Sequence, residues 1–262
     1  MTHNQFEIII LGSGASTGVP VIGCDCDVCI SSDSKNHRLR SSLYIKDLIN
    51  KQNFLIDTSP DLRQQLLTHK LTKVDHVLYT HMHADHTHGF DELRTLNFIN
   101  KQPIDCWLSE EHEQEMKARF SYAFEKNQVK GTYKPQVKLH TIAHNPFKVG
   151  NRVIEFVALP HGNTSSLAFK LDNFLYATDF KNFPQGLVKE WSKEVDYMVA
   201  SGVMLKEHPT HSTIDETITL MQSLGIKAGF ITHLSHHVEY NKESKKLPPN
   251  IHFAYDGLSI KV

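Results

Sequence analysis

The chain has 262 residues, 40% of them hydrophobic and 22% charged, which is the balance of a globular protein long enough to bury a substantial core. Lysine and arginine (28) nearly cancel aspartate and glutamate (29), leaving a formal charge of −1. That excludes a one-signed field able to draw in nucleic acid or an anionic membrane over long range. The first apolar run, Phe6–Leu11, is too short for a signal core or a bilayer span, and no other run is long enough, so a soluble, cytoplasmic protein without a membrane partner is expected.

In chain order, Phe6–Leu11, Leu43–Lys46 and Phe54–Ile56 read as strands. Ser59-Pro60-Asp61 reads as a helix start, with Ser59 as cap, Pro60 as first helical residue and Leu62, Leu66 and Leu67 following. Val74–Tyr79 is the next strand, then a helix over 85–100, a strand over Ile104–Leu108 and a helix over 110–124. Val153–Leu159, Leu167–Leu171 and Phe174–Ala177 are strands, the last two joined by a tight turn at Asp172-Asn173. Tyr197–Ala200, Gly229–Thr232 and His252–Tyr255 complete the strands. Between the first two of these, Thr213 and Glu216 form a capping box for a helix whose apolar face is Ile214, Ile218, Met221 and Leu224 and whose stop is Gly225. Without a repeat, low-complexity tract or linker, residues 1–262 read as one α/β (α+β) domain.

The chemistry concentrates in Tyr79-Thr80-His81-Met82-His83-Ala84-Asp85-His86. In an extended segment His81 and His83 project the same way and can grip one ion. A turn then presents Asp85 and His86 to a second. Surface histidines are the plain alternative for any one of the 18 in the chain, but not for this spacing. His161, Asp179 and His233 each follow an apolar strand, where layered α/β proteins collect functional side chains; each alone is as well explained as a turn residue. Cys24, Cys26 and Cys29 lie close enough to supply three ligands of a tetrahedral zinc, while Cys106 reads as core. The loop Gly12–Gly18 lacks the glycine spacing of a dinucleotide fingerprint and leads into the cysteines rather than a helix, so it reads as a tight loop lining the site.

His-x-His-x-Asp-His, then His161-Gly162, Asp179 and His233 at strand ends, resembles the metallo-β-lactamase superfamily in the family's order over nearly the whole chain. The resemblance implies a four-layer αββα sandwich. His81, His83 and His161 would hold one ion, Asp85, His86 and His233 the other, with Asp179 bridging and Asp57 supporting the first loop. Leu11-Gly12-Ser13-Gly14 together with Cys-x-Cys-x-x-Cys is similar to the phosphoribosyl cyclic phosphodiesterase branch. That narrower likeness implies His236, ahead of its neighbour His237, as fourth ligand of a structural zinc, His211 as active-site acid, and a homodimer.

These readings give an expected activity: hydrolysis of small, including cyclic, phosphodiesters by hydroxide formed between two ions of zinc, manganese or iron, Asp85 and His211 serving catalysis. Arg40 and Arg94 are candidate phosphate contacts, with solvated or structural roles as the alternative. A transfer-RNA 3′-end nuclease and a thioester or lactone hydrolase are the enzymatic rivals. The nuclease is disfavoured by the charge and by the lack of a Gly- and basic-rich arm, and a zinc knuckle binding nucleic acid by Asp25 and Asp27 between the cysteines.

Overall fold

The computed structural model describes residues 5–125 and 133–262. Two seven-stranded sheets face one another. The first runs β14-β1-β2-β3-β4-β5-β6 and the second β13-β12-β11-β10-β9-β8-β7. The strands of the first are β1 (Phe6–Gly12), β2 (Ser42–Asp47), β3 (Asn53–Ile56), β4 (His76–Leu78), β5 (Ile104–Leu108), β6 (Val137–Thr141) and β14 (Ser259–Lys261). Those of the second are β7 (Phe147–Val149), β8 (Arg152–His161), β9 (Thr164–Leu171), β10 (Phe174–Ala177), β11 (Tyr197–Ser201), β12 (Ala228–Thr232) and β13 (Ile251–Phe253). Counted from β14 in the first sheet and from β7 in the second, three antiparallel pairings are followed by three parallel ones.

The strands read as near-continuous apolar runs because both faces of each sheet are covered. Ile8 and Ile10 of β1 point between the sheets, where they meet Phe169, Phe174 and Val199, while Ile9 and Leu11 point outward. The outer face of the first sheet buries under α1 (Leu62–His69), α3 (Leu93–Asn100) and α4 (Glu110–Arg119), through Leu66, Leu96 and Met116. That of the second buries under α6 (Gln185–Trp191) and α7 (Ile214–Leu224), through Trp191, Met221 and Leu224. The result is the four-layer sandwich. The remaining helices are α2 (Ala84–Thr87), α5 (Ser121–Phe124) and α8 (Tyr240–Ser244).

Several expected boundaries change. The helix over 85–100 is broken into α2, a 3-10 turn at Phe90–Glu92 and α3. The break falls at Gly89, whose N–H donates to the Thr58 carbonyl and where a Cβ would overlap the Ser59 carbonyl. The helix over 110–124 likewise divides at Phe120, and Pro60 precedes α1 instead of opening it, with Asp61 at the cap position. The strands expected over Val74–Tyr79 and His252–Tyr255 are shorter, at His76–Leu78 and Ile251–Phe253. The capping box at Thr213 and Glu216, the left-handed Gly225 stop and the Asp172-Asn173 turn are as expected. Among the described residues no helix is long and apolar enough to cross a membrane.

Candidate metal centre

The candidate ligands converge between the two sheets at the carboxyl ends of the parallel strands. β3 delivers Asp57, β4 delivers the loop that carries His81 and His83 into α2, β10 delivers Asp179 and β12 delivers His233; the β8–β9 hairpin brings His161 from the side. Asp57, Asp179 and His233 have φ of 62°, 53° and 58°. Left-handed backbone at a non-glycine residue costs about 1–3 kcal/mol, and three such turns at strand ends mark where the surrounding structure holds strain. The sharp turn aims each side chain into the gap between the sheets instead of along the strand.

His81, His83 and His161 form one group of converging donor atoms and Asp85, His86 and His233 another. His161 Nε2 is 3.3 Å from His83 Nδ1; His86 Nε2 is 3.3 Å and His233 Nε2 3.6 Å from Asp85 Oδ2. Asp179 lies between the groups, Oδ2 at 3.2 Å from His86 and Oδ1 at 3.3 Å from His233 and 3.8 Å from His161. Donors about 2.0–2.2 Å from a shared tetrahedral ion stand roughly 3.3–3.6 Å apart, so the spacing fits ions of this class.

The electrostatics make the same demand. Asp57, Asp85 and Asp179 are buried, and among the described residues no lysine or arginine pairs with any of them. Burial alone would raise the Asp179 carboxyl, but the imidazoles of His233 and His86 reverse this and hold it well below the carboxylate range. Burial opposes charge on His86, yet Asp85, Asp179 and Asp57 outweigh it and lift its pKa well above the ordinary histidine value. Burial, reinforced by His86, holds His81 well below that value, leaving it a neutral ligand. The nitrogens facing the centre, His81 Nε2, His86 Nε2 and His233 Nε2, are buried without a hydrogen-bond partner. Each costs about 1–3 kcal/mol unless something binds it. Cations satisfy both the unpartnered nitrogens and the unbalanced carboxylates.

One buried carboxylate fixes two of these imidazoles. Asp57 Oδ2 accepts from His86 Nδ1 at 2.7 Å and from Thr80 Oγ1 at 2.7 Å, while Oδ1 accepts from Thr80 N at 2.8 Å. Because the Thr80 hydroxyl donates to Asp57, its lone pairs face His81 Nδ1 at 3.0 Å and require a proton there. Both histidines thereby keep a proton on Nδ1, which leaves Nε2 as the nitrogen able to ligate an ion at the centre.

Cys24, Cys26, Cys29 and His236 converge in a second cluster, with His236 Nδ1 at 3.3, 3.6 and 3.6 Å from the three sulfurs. This is the spacing of a tetrahedral Cys3His site, and His236 enters it while His237 does not. Cys106 is fully buried in the core.

His211 stands beside the first cluster, Nδ1 at 3.4 Å from Asp179 Oδ1, its ring stacked on His233. Burial pushes its pKa down to about 3 against the pull of Asp179. A cavity of about 380 Å³ opens here, lined by Ser16, His83, His161, Gly162, Asn163, Thr164, Thr210 and His211. Ser16 in this lining bears out the reading of the Gly12–Gly18 loop. Neither arginine does the same. Arg40 is tied to Asp61 at 2.9 Å, and Arg94 lies on α3 paired with Asp91 at 3.0 Å, beside a separate groove with Phe98 and Tyr133. Arg119, which no motif singles out, reaches from α4 to the Met82 carbonyl and to Thr87 Oγ1.

Residues 52–234 match the model of the β-lactamase superfamily domain. The chain belongs to the β-lactamase superfamily. Within that superfamily it is similar to the structure of a diphosphatase of the PhnP family, at 33% identity and a TM-score of 0.89 over 98% of each chain. Zinc-bound PqqB from Methylobacterium extorquens shares the fold at 19% identity and a TM-score of 0.77, covering 98% of this chain and 100% of that one. An octanoyltransferase of Porphyromonas gingivalis is 38% identical over 95% of this chain and 50% of its own length. This chain therefore spans at most half the length of the curated relatives it matches.

Proposed function

We propose that this superfamily member hydrolyses small phosphodiesters, cyclic ones included, with one divalent ion on His81, His83 and His161, a second on Asp85, His86 and His233, and Asp179 between them. The observation that carries this is the paired set of bare, buried imidazole nitrogens and unbalanced carboxylates opening on a small mouth. When bound, zinc, manganese or iron ions lower the pKa of water and neutralise charge at phosphorus. Asp57 and Thr80 keep His81 and His86 in the ligating tautomer. Asp179, lying between the two groups, would add a carboxylate ligand. His211, beside Asp179 at the mouth, would donate a proton to the departing alkoxide, balancing the one that the attacking water gives up. A zinc on Cys24, Cys26, Cys29 and His236 completes the proposed metal content.

Among the described residues the mouth is lined by hydroxyl, amide and imidazole groups and by no lysine or arginine, which suits a compact substrate more than a transfer-RNA backbone. Phosphoanhydrides are the second substrate class, because the PhnP-family neighbour is a diphosphatase and both classes present phosphorus to the same nucleophile. Acyl transfer by a covalent thioester finds no support: Cys24, Cys26 and Cys29 lie in their own cluster and Cys106 in the core. The test is hydrolysis of bis(p-nitrophenyl) phosphate, a nucleoside 2′,3′-cyclic phosphate and a dinucleoside diphosphate by protein loaded with Mn or Zn. Turnover of either phosphorus class, lost in Asp179→Ala, supports the reading. Cleavage of thioesters or lactones alone overturns it.

A further inference from the structure

Every candidate imidazole ligand except His83 is held from outside the cluster or by deep burial. His81 bonds Thr80, His86 bonds Asp57 and His161 Nδ1 bonds the Thr210 carbonyl at 3.1 Å. His233 is 1% exposed and stacked between His86 and His211. His83 is exposed, and the sole polar contact of its ring among the described residues is with His161, inside its own ligand group. Metal-binding histidines are normally oriented through their second nitrogen. For His83 the backbone must do that work.

That backbone is pinned by one guanidinium. Arg119, the last residue of α4, donates through Nη1 to the carbonyl of Met82, the residue between His81 and His83. The same nitrogen donates at 3.1 Å to Thr87 Oγ1, and that hydroxyl donates at 3.0 Å to the His83 carbonyl, which also accepts from His86 N at 3.1 Å. Both peptide oxygens flanking the His83 Cα are thus fixed from α4. The guanidinium is itself steadied. Its Nη2 pairs with Glu115 one turn earlier, and neighbouring Phe120 stacks on Phe90 at 4.6 Å, locking the end of α4 to the segment after α2.

We infer that Arg119 is a positioning residue that sets the geometry of the His81–His83–His161 ion site by holding the Met82 and His83 carbonyls. The inference rests on the two-ion reading above. It assigns Arg119 a larger effect on that ion than on the other, since His86 is also held by Asp57 and His233 by burial.

The experiment uses the full chain and Mn2+, a hard ion that prefers these nitrogen and oxygen ligands over the thiolates of the Cys3His cluster. Stepwise Mn2+ binding is followed by electron paramagnetic resonance and calorimetry for wild type, Arg119→Met and Arg119→Lys. Arg119→Met is expected to weaken one of the two binding steps by about 10–100-fold and the other by less. Arg119→Lys, which can satisfy one carbonyl, is expected to recover part of the loss. Wild-type affinity at both steps in Arg119→Met, or equal weakening of both without recovery by lysine, overturns the assignment. If wild type itself takes up no ion, the metal reading fails and the role of Arg119 falls with it, an outcome distinct from failure of the variant alone.

Discussion

Replacing Asp57 with asparagine changes one charge and almost no volume, and tests how the centre is built. Asparagine tolerates the φ of 62° at this position, so the backbone cost is small. The amide must face its oxygen to Thr80 N, because the opposite orientation sets two N–H groups against each other at a cost of about 1–3 kcal/mol. Its NH2 then replaces Oδ2, the atom that accepts from His86 Nδ1 at 2.7 Å and from Thr80 Oγ1 at 2.7 Å. His86 can answer only by moving its proton to Nε2, the nitrogen that faces Asp85 and Asp179 at 3.3 and 3.2 Å. The stable tautomer of His86 becomes the one that cannot ligate. Loss of such a support weakens metal binding about 10–100-fold, roughly 1.4–2.7 kcal/mol. Calorimetric titration of the variant with Mn or Zn, alongside metal content after dialysis, reads the effect directly. Unchanged affinity for both ions in a folded Asp57→Asn protein would refute the tautomer argument.

Three further expectations follow from single sites. His211→Ala should lower kcat by about 10²–10⁴-fold while ion content stays at the wild-type level; steady-state kinetics with metal analysis separates the two. Cys29→Ser should remove one zinc equivalent per chain and lower the melting temperature, because the tetrahedral set of Cys24, Cys26, Cys29 and His236 loses a thiolate. Retention of that zinc would count against the cluster as a site. Asp256 is half-buried, accepts from Ser13 and Leu39, and has its carboxyl pushed by desolvation up to about 6. The folded state therefore binds this proton more tightly than the unfolded chain does. Its stabilising effect is complete below about pH 4 and fades as pH rises through about 6, by roughly 3 kcal/mol at most. Urea midpoints of wild type and Asp256→Asn should diverge across that window, and a difference independent of pH would contradict it.

Much of the centre was legible because its signals are local. His81, His83, Asp85 and His86 fall within six residues, so strand and turn periodicity alone set their directions. Asp57, Asp179 and His233 each follow an apolar run whose end is visible in the sequence, although their left-handed backbone is not. His236 was favoured over His237 through family resemblance, because adjacent histidines offer equal chemistry and only the path of the loop separates them. The short edge strands β6, β7 and β14 escaped notice for a physical reason: an edge strand of three to five residues, partly exposed, carries no sustained apolar alternation.

By itself, then, the sequence determined the ligand types, their order and the alternation of strands and helices, since these follow from residue chemistry and short-range geometry. Tertiary structure decided what depends on meetings between distant segments. It broke the helix at Gly89 against the Ser59 carbonyl, and it took Arg94 away from the mouth and brought Arg119 to the metal loop. It also arranged two halves that share no visible repeat into sheets with the same sequence of pairings. Such contacts are fixed by packing two covered sheets face to face, and a linear pattern holds no record of which side chain will cross from one layer to another.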